Sequence, residues 1–289
     1  METTSALDPP ADGVNLLHIA AGRRAAIDPF LLVPENPDSE FIHDLRVLTR
    51  RLTEVARLLQ PLMEKPAAAA LVDSLRTLRR STGELRDLDV LGEHLLQWEL
   101  PAALKPLADQ LVADLPARRC ELAGQLRQQI ASPGLAASLH YLAAILEQAA
   151  ANPAEPLKQL GSHLAKTTRK RRKQLRDQLG KAARKQSQEQ FHNARIAAKK
   201  LRYSLELADE SGLQAHKAEL KFLKKFQSLL GDMHDADVML HTLRARLAQS
   251  PPADSADWQS FQDATHLQQA KRAGEALVLG YRWINRQIE

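Results

Sequence analysis

Two stretches of the chain place a histidine ahead of a ladder of cations. In FIHDLRVLTRRL these are His43, Arg46, Arg50 and Arg51; in FHNARIAAKKLR they are His192, Arg195, Lys199, Lys200 and Arg202. Spacings of three and four put His43, Arg46 and Arg50, with Glu54 and Arg57, on one side of a helix, and His192, Arg195, Lys199 and Tyr203 on one side of another. Leu45, Leu48, Leu52, Val55 and Leu59 face the other way in the first, and Ala194, Ala197 and Leu201 in the second. More cations fall on faces of helical period: Arg76 and Arg80 with Gly83 and Asp87, and Lys221, Lys224 and Lys225 with Asp235. Arg169, Arg172, Lys173 and Arg176 do the same, opposite Leu160, Leu164, Leu175 and Leu179. Guanidinium forks engage two phosphoryl oxygens at once, while ammonium groups act as mobile point charges. Rows of both on rigid helices suit a ligand built of closely spaced negative charges, because little ordering is left for the moment of binding.

The two histidines keep three roles open: a structural hydrogen bond, an additional phosphate donor, or a general acid or phospho-acceptor. Cationic neighbours favour phosphate contact over catalysis, and also depress the imidazole below its ordinary pKa of ~6.5. Asp87 and Asp89, and likewise Asp235 and Asp237, stand two residues apart on predicted helices. They therefore point in different directions, which is poor geometry for one metal ion. Their expected role is to orient the neighbouring arginines through salt bridges. The sequence carries no glycine-rich phosphate loop, HExxH or nucleophile elbow. The expectation is a binding protein rather than an enzyme, without metal or cofactor.

Capping signals and prolines divide the chain into the helices that must hold these side chains. They run from Val14 to Ile27, from Asp38 or Ser39 to Gln60, from Ala67 to Trp98, and from Pro101 to Ala131. Pro133 to Ala150 and Ala154 to Lys185 follow, the latter two begun by Ser132-Pro133 and Asn152-Pro153. Gln188 to Asp209 comes next, with Ser187 and Gln190 spaced as a capping box. Gln214 to Gln249 and Asp254 to Ile288 complete the set, split by Pro251-Pro252. The expected fold is all-α, with eight or nine helices.

An internal repeat organises them. The histidine blocks align at a shift of 149 residues, and STGELRDLDVL (Ser81–Leu91) aligns with SLLGDMHDADVML (Ser228–Leu240) at 148, matching Gly83 to Gly231 and Asp87 to Asp235. Two ordered blocks at nearly one offset indicate a duplicated four-helix unit, a period far longer than that of a solenoid.

Composition agrees. The chain has 289 residues, 44% of them hydrophobic, with only 12 glycines and 4% aromatics. Helix-forming residues dominate, which excludes an all-β fold and disfavours a sheet. The net charge of +5 conceals a strong asymmetry: Lys158–Tyr203 holds fifteen Lys/Arg against two acids, Asp177 and Glu189. Such segregation marks a site for a polyanion. A lone Cys120 excludes a disulfide framework and is expected to be inert. Trp258, Trp283 and Tyr281 read as core residues. METTSALDPPADG lacks the basic and apolar segments of a signal peptide, and no run approaches the length of a membrane span. A cytoplasmic protein is expected.

The pattern His-x-x-Arg-x-x-x-Arg-Arg, followed by an Asp-x-Asp-Val helix and with both blocks repeated, resembles the CHAD family, the conserved histidine α-helical domain. Its carriers are His43, Arg46, Arg50 and Arg51 with Arg86, Asp87 and Asp89, then His192, Arg195, Lys199, Lys200, Arg202 and Tyr203 with Asp235 and Asp237. The resemblance implies two pseudo-symmetric four-helix bundles with a shared basic central groove. It places a flexible N-terminus at residues 1–13 and a single domain over 14–289, with repeats of about 14–150 and 151–289. It further implies binding of inorganic polyphosphate and association with polyphosphate granules. Thr53 stands where an arginine, matched by Arg202, is expected, and His234 occupies an unexpected place in MHDADV. The second copy is therefore expected to dominate affinity. Nucleic-acid backbone binding is the competing partner, disfavoured by scarce aromatics, and a metal-dependent phosphoanhydride hydrolase is the competing enzyme.

Overall fold

The structure, a computed structural model, describes residues 14–213, 216–248 and 255–286. Among these residues there are nine α-helices and no strand: α1 (Val14–Ala25), α2 (Ser39–Leu58), α3 (Lys65–Gln97), α4 (Lys105–Ile130), α5 (Pro133–Ala151), α6 (Ala154–Lys185), α7 (Gln188–Glu210), α8 (Lys217–Leu247) and α9 (Ser255–Arg286). The fold is all-α. The expected flexible stretch 1–13, the Pro251-Pro252 break and the expected helix ends at Gln214, Gln249, Asp254 and Ile288 lie outside the described residues. No single described helix is long and apolar enough to cross a membrane.

Local chemistry sets the helix starts. The Asp38 carboxylate accepts the Phe41 N–H at 2.7 Å, satisfying one of the donors that a helix start leaves free. Ser132 caps α5 by accepting from Leu135 N–H, with Pro133 as the first helical residue. Two expected caps differ. The Ser187 side chain makes no cap bond, and its carbonyl instead accepts the Gln190 N–H at 3.0 Å. Pro153, not Asn152, occupies the cap position of α6. That helix ends at Gln186, whose left-handed φ of 46° turns the chain toward α7.

Helices α6 to α9 pack each on the next, and α9 returns to α6 to close a four-helix bundle around Leu175, Leu179, Phe191, Leu201, Leu223, Phe226 and Trp283. The first half differs from a four-helix unit because it contributes five helices. α5 packs on both α1 and α3, around a core that includes Leu16, Leu45, Leu52, Leu75, Leu78, Leu139 and Leu142. A third apolar cluster, with Leu91, Leu95, Leu104 and Leu107 against Met239 and Leu243, joins the later turns of α3 and α8 to α4. The α2–α3 hairpin thus faces the α7–α8 hairpin, α2 against α7 and α3 against α8. Trp283 is core and Trp258 packs beside the third cluster, but Tyr281 is 67% exposed, on the outer side of α9. Cys120 is exposed as well.

One buried ion-pair network crosses between the halves. Glu54 on α2 accepts from Arg171 on α6 at 2.6 Å and from Arg57 at 2.6 Å, with the Glu54 and Arg171 side chains only 7% and 10% exposed. Arg171 also donates to the Lys200 carbonyl at 2.8 Å and to the Ser204 hydroxyl, both on α7. Three helices therefore meet on one guanidinium, through its Nη1. Breaking such a pair leaves a buried charge unmatched. Glu54→Ala is expected to cost about 3–5 kcal/mol in urea unfolding. The double change Glu54→Met with Arg171→Met should cost less than the two single changes together. A loss for Glu54→Ala within ordinary surface-substitution range would show that the pair does not join the helices.

Candidate functional site

The facing surfaces of α2, α3, α7 and α8 carry a half-buried cluster of cations. Its members are Arg46 and Arg50 on α2 and Arg195, Lys199 and Lys200 on α7, with Arg57, Arg202 and the exposed Arg79 of α3 at its margins. They sit here because the opposite faces of the same helices are leucine and alanine stripes buried in the two cores. The period that buries Leu45, Leu52, Ala194 and Leu201 leaves the cations no other direction.

Lys199 is the clearest sign of the resulting electrostatics. Burial, then the charges of Arg195, Arg50, Arg46 and Arg202, push its ammonium down to about 7. Arg46 is pushed down to about 10, by burial first and then by Arg50, with Asp87 opposing. Arg79, Arg195 and Lys200 are lowered too, in each case chiefly by burial. Cations in such a place favour losing charge or gaining an anion. The Arg195 Nε is buried and has no hydrogen-bond partner. Arg50 is the hub, since its charge bears on Arg46, Arg79, Arg195 and Lys199 alike. Its Nη1 donates to the Tyr203 hydroxyl at 3.2 Å, tying α2 to α7. Arg202 lies over the same ring at 5.1 Å and pairs with Glu206 at 3.2 Å.

Gly83 lets this arrangement form. Arg46 crosses α3 there, with Nη1 donating to the Arg79 carbonyl at 3.4 Å. A Cβ at residue 83 would lie 2.6 Å from that nitrogen.

The acidic pairs divide as their spacing requires, with one member inward and one outward. Asp87 and Asp235 act on the cluster, supporting the charged forms of Arg46 and Arg195. Asp89 turns to α4 and pairs with Arg119 at 2.8 Å, while Asp237 accepts from Gln269 on α9. The salt-bridge partner of Asp89 is thus on α4 rather than in the neighbouring stripe, because residues two apart on a helix cannot share a face.

Other expected site residues lie elsewhere. Arg172 is held by Glu219 of α8 at 2.8 Å, with His216 alongside, and so acts as a joint within the second bundle. Arg76 pairs with Asp73 at 2.5 Å, and Arg51 is half-buried on α2. His43, Arg80, Arg169, Lys173, Arg176, Lys221, Lys224 and Lys225 are exposed, outside the half-buried cluster. His192 is exposed at its edge, its ring 5.7 Å from that of His234.

Arg79 and Arg171 belong to the cluster or its support although no motif points to them, whereas Arg57 lies on the stripe that the period of α2 predicts. Arg171 had a legible signal: it falls on the period of Leu164, Thr168, Leu175 and Leu179, the buried face of α6. Arg79 lies one helical turn before Gly83, on the face that Arg46 crosses. Thr53, in place of an arginine, is buried and returns its hydroxyl to the Thr49 carbonyl at 2.7 Å.

Residues 29–244 match the family model of the CHAD domain. The fold is similar to the crystal structure of the CHAD domain from the plant Ricinus communis, with 26% identity, a TM-score of 0.65, and coverage of 96% of this chain and 95% of that one. It is also similar to PptA from Streptomyces chartreusis, with 15% identity, a TM-score of 0.61, and coverage of 93% and 98%. No curated protein matches the chain significantly in sequence.

Two substitutions test the site itself. Between about pH 7 and the ordinary lysine value of 10.5, the unfolded chain holds a proton on residue 199 that the folded chain lacks. Stability from this group therefore rises with pH in that window, and below 7 the penalty is fully present. Lys199→Met should accordingly raise the melting temperature at pH 6 by several degrees, a gain of about 1–2 kcal/mol that shrinks toward pH 10. A gain independent of pH would assign the effect to packing. Gly83→Ala should leave the melting temperature equal or higher, since alanine is the better helix former by about 1 kcal/mol and the guanidinium is free to swing away. The cost should fall instead on anion affinity, measured by titration.

Proposed function

The chain belongs to the CHAD domain family, and from that premise we propose that it binds inorganic polyphosphate, without transforming it, in the groove between the α2–α3 and α7–α8 hairpins. Family membership supports a polyphosphate-associated role. The observation that carries the finer reading is the depression of Lys199 to about 7 and of Arg46 to about 10 by burial and by one another. Half-buried cations in mutual repulsion are an arrangement that a linear polyanion relieves at several positions at once. A discrete ion would reach one or two of them.

The binding chemistry follows from the side chains. Arg46, Arg50 and Arg195 offer planar forks to paired phosphoryl oxygens, and Lys199 and Lys200 neutralise charge between them. Arg50, already oriented by Tyr203, loses little freedom on binding. Asp87 and Asp235 favour the charged forms of Arg46 and Arg195 while leaving most of the positive charge unbalanced. The exposed Arg169, Lys173 and Arg176 on α6 and the exposed lysines 221, 224 and 225 on α8 extend the positive field for a long chain to follow. His192, at the edge of the cluster, adds a ring donor, and the exposed His43 lies outside it. Association with polyphosphate granules follows from such affinity, and no step of the proposal requires a metal or cofactor.

Reversing Arg195, Lys199 and Lys200 together to Glu should abolish binding of long-chain polyphosphate while circular dichroism retains the helical spectrum. Unchanged affinity would refute the groove. Binding to wild type should weaken steeply with salt as counterions are reabsorbed. It should also weaken as pH rises through 7, because Lys199 must then regain a proton. Calorimetry in buffers of different ionisation enthalpy reads that proton uptake, which Lys199→Gln should remove. Duplex DNA displacing polyphosphate at matched phosphate concentration would favour a general nucleic-acid-backbone binder instead.

A further inference from the structure

At one end of the groove, between α7 and α8, lies a pocket of about 540 Å³ whose lining is mostly apolar. Phe191, Leu230, Met233 and Val238 supply its carbon surface, Glu189 and Asp237 lie among the polar groups of its lining, and Arg195 stands where it meets the cation cluster. A bare phosphate chain gains nothing from such walls, because moving charged oxygens away from water against carbon is costly. The pocket calls for a ligand with a flat or apolar body and a phosphate tail.

We propose that this pocket is a nucleoside subsite: it takes the nucleoside of a nucleoside polyphosphate whose phosphates run past Arg195 into the groove. The inference rests on the reading of the groove as a phosphate site and adds a ligand class to it. Its volume is within the ordinary range for small-molecule sites, roughly 300–1,000 Å³. Arg195 faces both compartments, since it lines the pocket while its charge is felt together with those of Arg50 and Asp87 across the groove. Its buried Nε, which has no partner, is a donor available where body and tail would join. His192 and His234 present their rings at 51° to one another, so a planar base can lie against one face while the other ring meets its edge. Burial and Arg195 together hold the His234 imidazole below its ordinary value. It is therefore a neutral stacking and hydrogen-bonding group at neutral pH, not one more phosphate cation.

The sequence repeat indicates why this end is open. At the shift of 148 residues, His234 stands where the first block has Arg86. Arg86 reaches Ser39 at 2.8 Å and Glu93 at 3.1 Å, joining α3 to the start of α2. A histidine is too short to make the equivalent link, and in the second half the space beside it is the pocket.

Calorimetric titration with adenosine 5′-tetraphosphate and with inorganic tetraphosphate tests the subsite. The nucleotide should bind at least tenfold more tightly. Thr242→Trp and Val238→Phe, which fill the pocket, should reduce it to the level of the inorganic chain and leave inorganic tetraphosphate binding unchanged. Equal affinity of the two ligands for wild type would overturn the subsite while leaving the groove intact. If neither ligand binds wild type, or if the Arg195/Lys199/Lys200 reversal leaves inorganic tetraphosphate binding unchanged, the groove itself fails. Because a filling variant can misfold, photolabelling of wild type with 8-azidoadenosine triphosphate supplies a second measurement. Label on the peptides around Phe191 and Met233–Thr242, displaced by the tetraphosphate nucleotide, supports the subsite, and label elsewhere overturns it.

Discussion

The cations on the facing hairpins repel one another, and the rest of the molecule is arranged so that they cannot separate. Two unit charges about 4 Å apart repel by about 4 kcal/mol at the effective dielectric of a protein surface. Arg46, Arg50, Arg79, Arg195 and Lys199 lie within one another's fields, so the facing hairpins would splay if only those contacts joined them. Three features oppose this. The apolar clamp of Leu91, Leu95, Met239 and Leu243 joins α3 and α8 beyond the cluster. The Glu54–Arg171 network ties α2 to α6 and α7. Tyr203 on α7 accepts from Arg50 and so holds α2 to α7 within the cluster. The first two lie beside the cluster, and the third is made by its hub.

The contrast between paired and unpaired arginines shows where chemistry stops and scaffold begins. Arg171 and Arg172 are neighbours in the most basic stretch of the chain, yet each is committed to a carboxylate, Glu54 and Glu219 respectively. Arg195 and Lys199 lie on the adjacent helix, and burial with their like-charged neighbours depresses both. A paired guanidinium fixes helices; an undercompensated one stores electrostatic energy that an anion can release. Charge density along the sequence does not separate the two cases. Position relative to the carboxylates of another helix does.

That is also why the site was only partly legible from sequence. The helices, their amphipathic faces and the identity of the α2 and α7 ladders follow from local periodicity, because an apolar stripe fixes the direction of everything opposite it. The role of Arg172 depends on Glu219, 47 residues later, and that of Asp89 on Arg119, 30 residues later. Such pairings are properties of packing, and no period within one helix carries them. The cation rows on α6 and α8 have helical spacing equal to that of α2 and α7, yet apart from Arg172 they remain exposed because no facing hairpin covers them. α5 is legible as a helix from its caps, but nothing in them says that it packs on both α1 and α3 as a fifth helix of the first half.

The two halves present related residues in unequal surroundings, which bears on how a linear ligand would lie. In the first half Arg46 leans over Gly83 and Arg86 fastens α3 to Ser39, so that end is filled by side chains. In the second, a Cβ at Gly231 would meet nothing within 4 Å, and His234 borders a cavity where Arg86 makes a link. A symmetric pair of ladders would hold a polymer equally well in both directions. Filling one end and opening the other removes that equivalence, and it does so without moving any of the central cations. In the proposed binding mode the central cluster sets affinity for phosphate, while the unequal ends set which part of a ligand lies where. Selectivity among phosphate chains can therefore change by substitution at the ends, leaving the electrostatic balance of the centre, and the stability it costs, unaltered.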